Sequence, residues 1–128
     1  MFYSDVEIKE SPEKGRGVFA CAHLPKGATV EISPVLVFSA EERVHLEKTN
    51  LYNYIFEWGE DAKRCCIGFG YLSMYNHASP SNCEYDMDFE AEIMRIRTVA
   101  KIAPGEELTI NYADDWNGTK PVWWFDAK

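Results

Sequence analysis

Short apolar runs and apolar–polar alternations dominate the chain, and turn residues separate them at close intervals. Val6 and Ile8 alternate with charged neighbours up to the turn pair Ser11-Pro12. Gly15-Arg16-Gly17 then leads into the apolar run Val18 to Ala22. Leu24-Pro25-Lys26-Gly27 predicts a tight turn feeding a strand over 28–32, and Ser33-Pro34 is expected to break it before a second strand over 35–38. The aromatic-rich stretch 51–58 predicts a strand ending at Gly59-Glu60-Asp61, and 65–70 predicts another, followed by an irregular segment over 72–82. Residues 84–99 read as a hairpin turning near Phe89-Glu90-Ala91. Ala103-Pro104-Gly105-Glu106 is a turn before a final strand over 107–112.

Ser39-Ala40-Glu41-Glu42 departs from this pattern. It has the spacing of a capping box, with Ser39 as N-cap and Glu42 three residues on, and it predicts a short helix to about Lys48. The apolar stripe of that helix, Ala40 and Val44, is thin, so the helix is expected on the surface. An internal echo links Leu24-Pro25-Lys26-Gly27-Ala28-Thr29-Val30 with Ile102-Ala103-Pro104-Gly105-Glu106-Glu107-Leu108. Two similar β-turns explain it without a repeat architecture. The expected fold class is mainly β, with many short strands and one or two small helices.

The 128 residues fit one domain, and a hydrophobic fraction of 46% with seven Phe, seven Tyr and four Trp supplies a core. A chain this short buries a modest share of its surface, and a homodimer is one way to add buried area. The formal charge of −8 disfavours nucleic-acid phosphates and anionic membranes and favours basic partners, although solubility alone accounts for such a charge. The four cysteines, Cys21, Cys65, Cys66 and Cys83, form no C-x-x-C pair. They are expected as buried or half-buried thiols in a reducing compartment, with no metal site. The N-terminus lacks the basic and apolar regions of a signal peptide, and no apolar run approaches membrane-spanning length. An intracellular soluble protein is the expectation.

Three segments carry chemistry. Gly15-Arg16-Gly17 is a turn-like glycine pair that leaves backbone open to close approach, though any strained turn has the same need. Asn76-His77-Ala78-Ser79-Pro80-Ser81-Asn82-Cys83 offers an amide that both donates and accepts, beside an imidazole, although a polar loop has the same composition. Gly105-Glu106-Glu107-Leu108-Thr109-Ile110-Asn111-Tyr112 is a turn and strand ending in an aromatic hydroxyl. In this order and spacing, the three resemble the SET-domain signature across residues 4 to 116, and the chain looks like a small stand-alone SET protein of the bacterial or viral type. Ala78-Ser79 stands where the family has Ser-Cys, and Ser81 where it has proline, whereas Asn76, His77 and Asn82 match. Gly70 to Tyr75 resembles the entry to that loop in stand-alone members.

The resemblance implies a protein-lysine N-methyltransferase that uses S-adenosylmethionine and yields S-adenosylhomocysteine. It implies a β-clip of small sheets with a knot-like C-terminal crossing, an arrangement that connections otherwise avoid. The cofactor residues implied are Lys14, Gly15, Arg16, Gly17, Asn76, His77, Tyr112 and Trp116. Tyr112 is the implied catalytic tyrosine, with Tyr54 and Tyr85 lining the lysine channel, where cross-strand aromatic packing is the alternative role. Tyr85 matches a position where some mono-methylating members place a channel tyrosine. The chain divides into a SET domain over 1–116 and an aromatic tail over 117–128 that covers the site or a dimer interface. Trp116, Trp123 and Trp124 stand where many members carry a zinc-binding cysteine cluster. The implied partner is a basic lysine-bearing protein such as a histone tail or a ribosomal protein, in the cytoplasm of a bacterium or in a host nucleus. A non-catalytic SET-like module that binds peptides is the competing reading, favoured by the altered loop before Asn82. A small β protein with coincidental motifs is the third.

Overall fold

A computed structural model describes residues 5–12 and 14–111. The chain runs β1 (Val6–Ser11), β2 (Gly15–Ala20), β3 (Thr29–Phe38), α1 (Ala40–Leu46), β4 (Ile55–Trp58), β5 (Arg64–Gly68), β6 (Asn76–His77), β7 (Cys83–Asp88), β8 (Ile93–Thr98) and β9 (Glu107–Ile110). Two 3-10 turns, Asn50–Asn53 and Leu72–Met74, precede β4 and β6. The strands form a four-stranded sheet ordered β1-β2-β9-β6 and a five-stranded sheet ordered β4-β5-β3-β8-β7. The mainly β expectation holds. Tyr112, Trp116 and the 117–128 tail lie outside the described residues, as does the part of the knot-like crossing that would involve them.

The hairpin of β1 and β2 pairs Val6 with Ala20 through Ser11 with Gly15, and the Lys14 N–H donates to Ser11 Oγ at 3.0 Å within its turn. β2 pairs antiparallel with β9, Val18 opposite Leu108. On its other side β9 pairs parallel with β6, placing Asn76 opposite Thr109 and His77 opposite Ile110. Thus the two strongest sequence motifs are adjacent strands.

The expected break at Ser33-Pro34 does not occur: β3 is one strand of ten residues. It changes partner at that point instead. Residues up to Pro34 pair with β8, and Val35 to Phe38 pair with β5. Pro34 has no N–H to offer, but its carbonyl accepts from Phe69 N at 3.0 Å, and Val35 N donates to Glu92 O at 3.0 Å. A proline is tolerated where one ladder hands over to the next. The expected strand over 51–58 also begins late. Thr49 Oγ1 accepts from Leu51 N at 3.1 Å and draws Asn50–Asn53 into a 3-10 turn, leaving only Ile55–Trp58 extended.

Helix α1 has the capping box: Glu42 N donates to Ser39 Oγ at 3.1 Å and Ser39 N to Glu42 Oε1 at 2.8 Å. None of its residues is buried, and Val44 is 52% exposed. Arg43 ties the helix to the β4–β5 hairpin, with ion pairs of 3.0 Å to both Glu47 and Glu57 and a hydrogen bond of 2.8 Å to Ala62 O. The echoed segments meet: Leu24 and Ile102 exchange both backbone hydrogen bonds at 2.9 Å. Gly27 and Gly105, in the fourth place of each, have φ of +83° and +87°. The similarity therefore reflects two turns of the same shape packed against each other.

One continuous core joins the sheets, including Val18, Leu72, Tyr75, Met94, Ile96, and Leu108. Cys65, Cys66 and Cys83 are buried, the last two in this core, and burial pushes their thiols up to about 11, about 12 and about 12 respectively. Cys21 departs from the expectation of a covered thiol. It is exposed, in the bend that follows buried Ala20 at the end of β2. Among the described residues no cluster of His, Cys, Asp and Glu is placed to hold a metal ion. No helix among them is long and apolar enough to cross a membrane.

Candidate cofactor and lysine site

The four-stranded sheet gathers the polar residues of all three motifs. Asn76, first residue of β6, donates from Nδ2 to Glu107 Oε2 at 2.6 Å and to Arg16 O at 3.2 Å. One side-chain amide thereby links β2, β6 and β9. Gly17 lies directly beneath it. A Cβ at Gly17 would overlap Glu107 Oε2 and stand 2.7 Å from Asn76 Nδ2. A side chain at 17 would have to displace the ends of the Glu107 and Asn76 side chains and disturb their mutual bond. Gly15 is a glycine for another reason, a φ of +73° at the turn into β2.

Lys14 reaches from the same turn to donate from Nζ to the backbone carbonyl of His77. His77 is half-buried, and burial, assisted by the Lys14 charge, holds its imidazole below the ordinary value. A neutral ring follows at neutral pH, able to donate from one nitrogen and accept at the other.

Asn82 closes the loop that departs from the family pattern. Its Nδ2 donates to Glu107 O at 2.8 Å, and its Oδ1 accepts from Thr109 N at 2.8 Å. The side chain thus imitates a peptide unit and adds a rung to β9. Ser81, where the family has proline, is buried and donates from Oγ to Cys83 O at 2.7 Å. The altered loop still delivers Asn82 to β9.

The structure brings Arg16, Gly17, Asn76 and Glu107 together, with Lys14 bonded to His77 one residue further along β6; Glu107 is the member that the sequence did not single out. Tyr85 and Tyr54 belong with the other sheet. Tyr85 is 9% exposed and packs on Phe56 with ring centroids 5.7 Å apart, a contact between β7 and β4, the strands at the two ends of that sheet's order. Tyr54 is 40% exposed, and its carbonyl accepts from Ser73 Oγ at 2.8 Å. Asn111 is 2% exposed and ends the described chain immediately before Tyr112.

This donor set fits an amino-acid nucleoside such as S-adenosylmethionine. The Lys14 ammonium and Arg16 guanidinium suit a carboxylate. Among the described residues Asn76-His77 form an edge strand, where a base can meet backbone groups.

Comparisons with known proteins agree with this geometry. The SET domain family profile matches residues 15–113. A histone-lysine N-methyltransferase of Schizosaccharomyces pombe, specific for H3 lysine-37, is 38% identical over 112 residues, covering 87% of this chain and 75% of its own. The crystal structure of a candidate histone methyltransferase of Plasmodium falciparum superposes with a TM-score of 0.67 at 25% identity, over 90% of this chain and 98% of that one. Polycomb Repressive Complex 2 of Chaetomium thermophilum, autoinhibited and bound to S-adenosylmethionine, gives a TM-score of 0.71 at 24% identity, over 90% of this chain and 16% of that one, and supports the fold. With the profile spanning all three motifs and the motif strands paired side by side, the chain belongs to the SET-domain family.

Proposed function

We propose that this chain transfers a methyl group from S-adenosylmethionine to the side-chain amine of a lysine in a basic protein tail, such as that of a histone. The observation that carries the reading is the Asn76 amide held between Glu107 and Arg16 O, on a strand zipped parallel to β9, which ends two residues before Tyr112 in the sequence. Lys14, Gly15, Arg16, Gly17, Asn76 and His77 are assigned to the cofactor, with Trp116 covering it.

When bound, S-adenosylmethionine supplies an electrophilic methyl on a sulfonium. The chain's own residues orient and desolvate the acceptor. A lysine's reference pKa is about 10.4, so the amine must lose its proton before it attacks. Burial among aromatic side chains favours the neutral amine. Tyr112 is assigned to align that amine, because a phenol hydroxyl hydrogen-bonds without adding a competing charge. Tyr54 and Tyr85 are assigned to the lysine channel, where the buried Tyr85 limits the number of methyl groups accommodated.

The net charge of −8 supports a basic substrate. A histone substrate would place the protein in a nucleus, and a ribosomal one in the cytoplasm. The small core supports a homodimer, with residues 117–128 as the segment that covers the site or the dimer interface. Incubation with labelled S-adenosylmethionine and a panel of histones and ribosomal proteins tests the reading: label on lysine is expected, and label confined to other residues would refute it.

A further inference from the structure

Glu31 is a carboxylate with no solvent exposure, on the inward face of β3. Its two oxygens are taken at opposite ends of one short segment. Oε2 accepts the Tyr71 backbone N–H at 2.8 Å, and Oε1 accepts the Tyr75 hydroxyl at 2.8 Å. The Ser33 hydroxyl, two residues along β3, also donates to Oε2 at 2.8 Å. The segment Tyr71–Tyr75 contains the 3-10 turn Leu72–Met74 and leads directly into Asn76. Its middle is fixed from the other side, where Ser73 Oγ accepts from Gly68 N at 2.9 Å and donates to Tyr54 O at 2.8 Å. Leu72 and Tyr75 are buried in the core at 0% and 1% exposure.

A carboxylate is a costly occupant of an inward strand position unless several donors meet it. For packing alone, an apolar side chain of similar volume would serve β3 as well or better. What the carboxylate adds is a two-pronged hold on the segment that delivers Asn76 and His77 to the site. We propose that Glu31 and Tyr75 are positioning residues for cofactor binding. Held between the Tyr71 amide and the Tyr75 hydroxyl, the carboxylate sets the register in which Asn76 meets Glu107 and His77 meets Lys14. This rests on the reading of Asn76 and His77 as cofactor residues.

The test is calorimetric titration of the full chain and its variants with S-adenosylmethionine, alongside steady-state kinetics and thermal melts. Tyr75→Phe removes one hydroxyl and keeps the ring. It should raise the cofactor Kd about tenfold while kcat at saturating cofactor changes less than about twofold. The Asn76 side-chain amide resonance should shift in the same variant. Val6→Ala, a core truncation in β1, should lower Tm and leave the cofactor Kd at its wild-type value. Should Tyr75→Phe fail to fold, Glu31→Gln, which keeps the volume and one acceptor oxygen, is read in the same way. A wild-type Kd in Tyr75→Phe or Glu31→Gln, with binding lost in Asn76→Ala, overturns the positioning role alone. A wild-type Kd in Asn76→Ala overturns the cofactor reading, and the positioning role with it.

Discussion

The Asn76 amide lies 2.6 Å from Glu107 Oε2, in the space that the absent side chain of Gly17 leaves between β2 and β9. Gly17→Ala puts a methyl group into that space. It should cost about 1–3 kcal/mol of stability as overpacking, and it should weaken cofactor binding more than its effect on Tm implies. Denaturant unfolding and calorimetry on the same variant separate the two. Wild-type values in both would show that the pair yields easily and that Gly17 has no packing duty.

Asn82 bonds to the backbone of β9 on both sides of Leu108, at Glu107 O and Thr109 N. Asn82→Ala removes both bonds at about 1 kcal/mol each, so roughly 2 kcal/mol of stability should be lost. Urea unfolding measures it. A loss below about 0.5 kcal/mol would mean that water replaces the side chain at no cost.

His77 predicts a pH dependence. Its imidazole is held below the ordinary 6.5 by burial and then by Lys14. Above 6.5 both folded and unfolded states are neutral and the stability is whole. As pH falls below 6.5 the unfolded chain takes up the proton first, so stability declines until the folded value is reached. Chemical denaturation between pH 7.5 and 5.5 should show this decline, and His77→Gln should flatten it. The same slope in that variant would assign the effect elsewhere.

Tyr85 packs on Phe56 and is nearly buried, so its hydroxyl is a candidate limit on channel space. Tyr85→Phe should raise the di-methylated fraction in product mass spectrometry. An unchanged distribution would leave Tyr85 with a packing role only.

Much of this was legible in the sequence. The capping box at Ser39 and Glu42 is local chemistry, and it forms as the spacing predicts. The hairpin near Phe89 appears because alternation sets both strands, Cys83–Asp88 and Ile93–Thr98. The resemblance also grouped Asn76 and His77 with the segment over 105–112, and the fold pairs β6 with β9. What was not legible depends on pairing between distant segments. Pro34 reads as a breaker until β3 is seen to change partners there. Thr49 captures Leu51 N and shortens an apparent strand by a turn. Glu107 looks like one more acidic turn residue until the fold sets Asn76 against it. Glu31, a carboxylate between Val30 and Ile32, does not stand out in the sequence, because two of its partners lie 40 and 44 residues away.

The central claim is methyl transfer to lysine governed by Tyr112, and peptide mass spectrometry tests it most directly. Histones and ribosomal proteins are incubated with S-adenosylmethionine and either the wild-type chain or Tyr112→Phe, with cofactor affinity measured for both. The account predicts methyl groups on lysine with the wild type and, with Tyr112→Phe, a loss of methylation much larger than any loss of cofactor affinity. Equal methylation by both proteins, or cofactor binding by the wild type with no methylated lysine on any substrate, would contradict it.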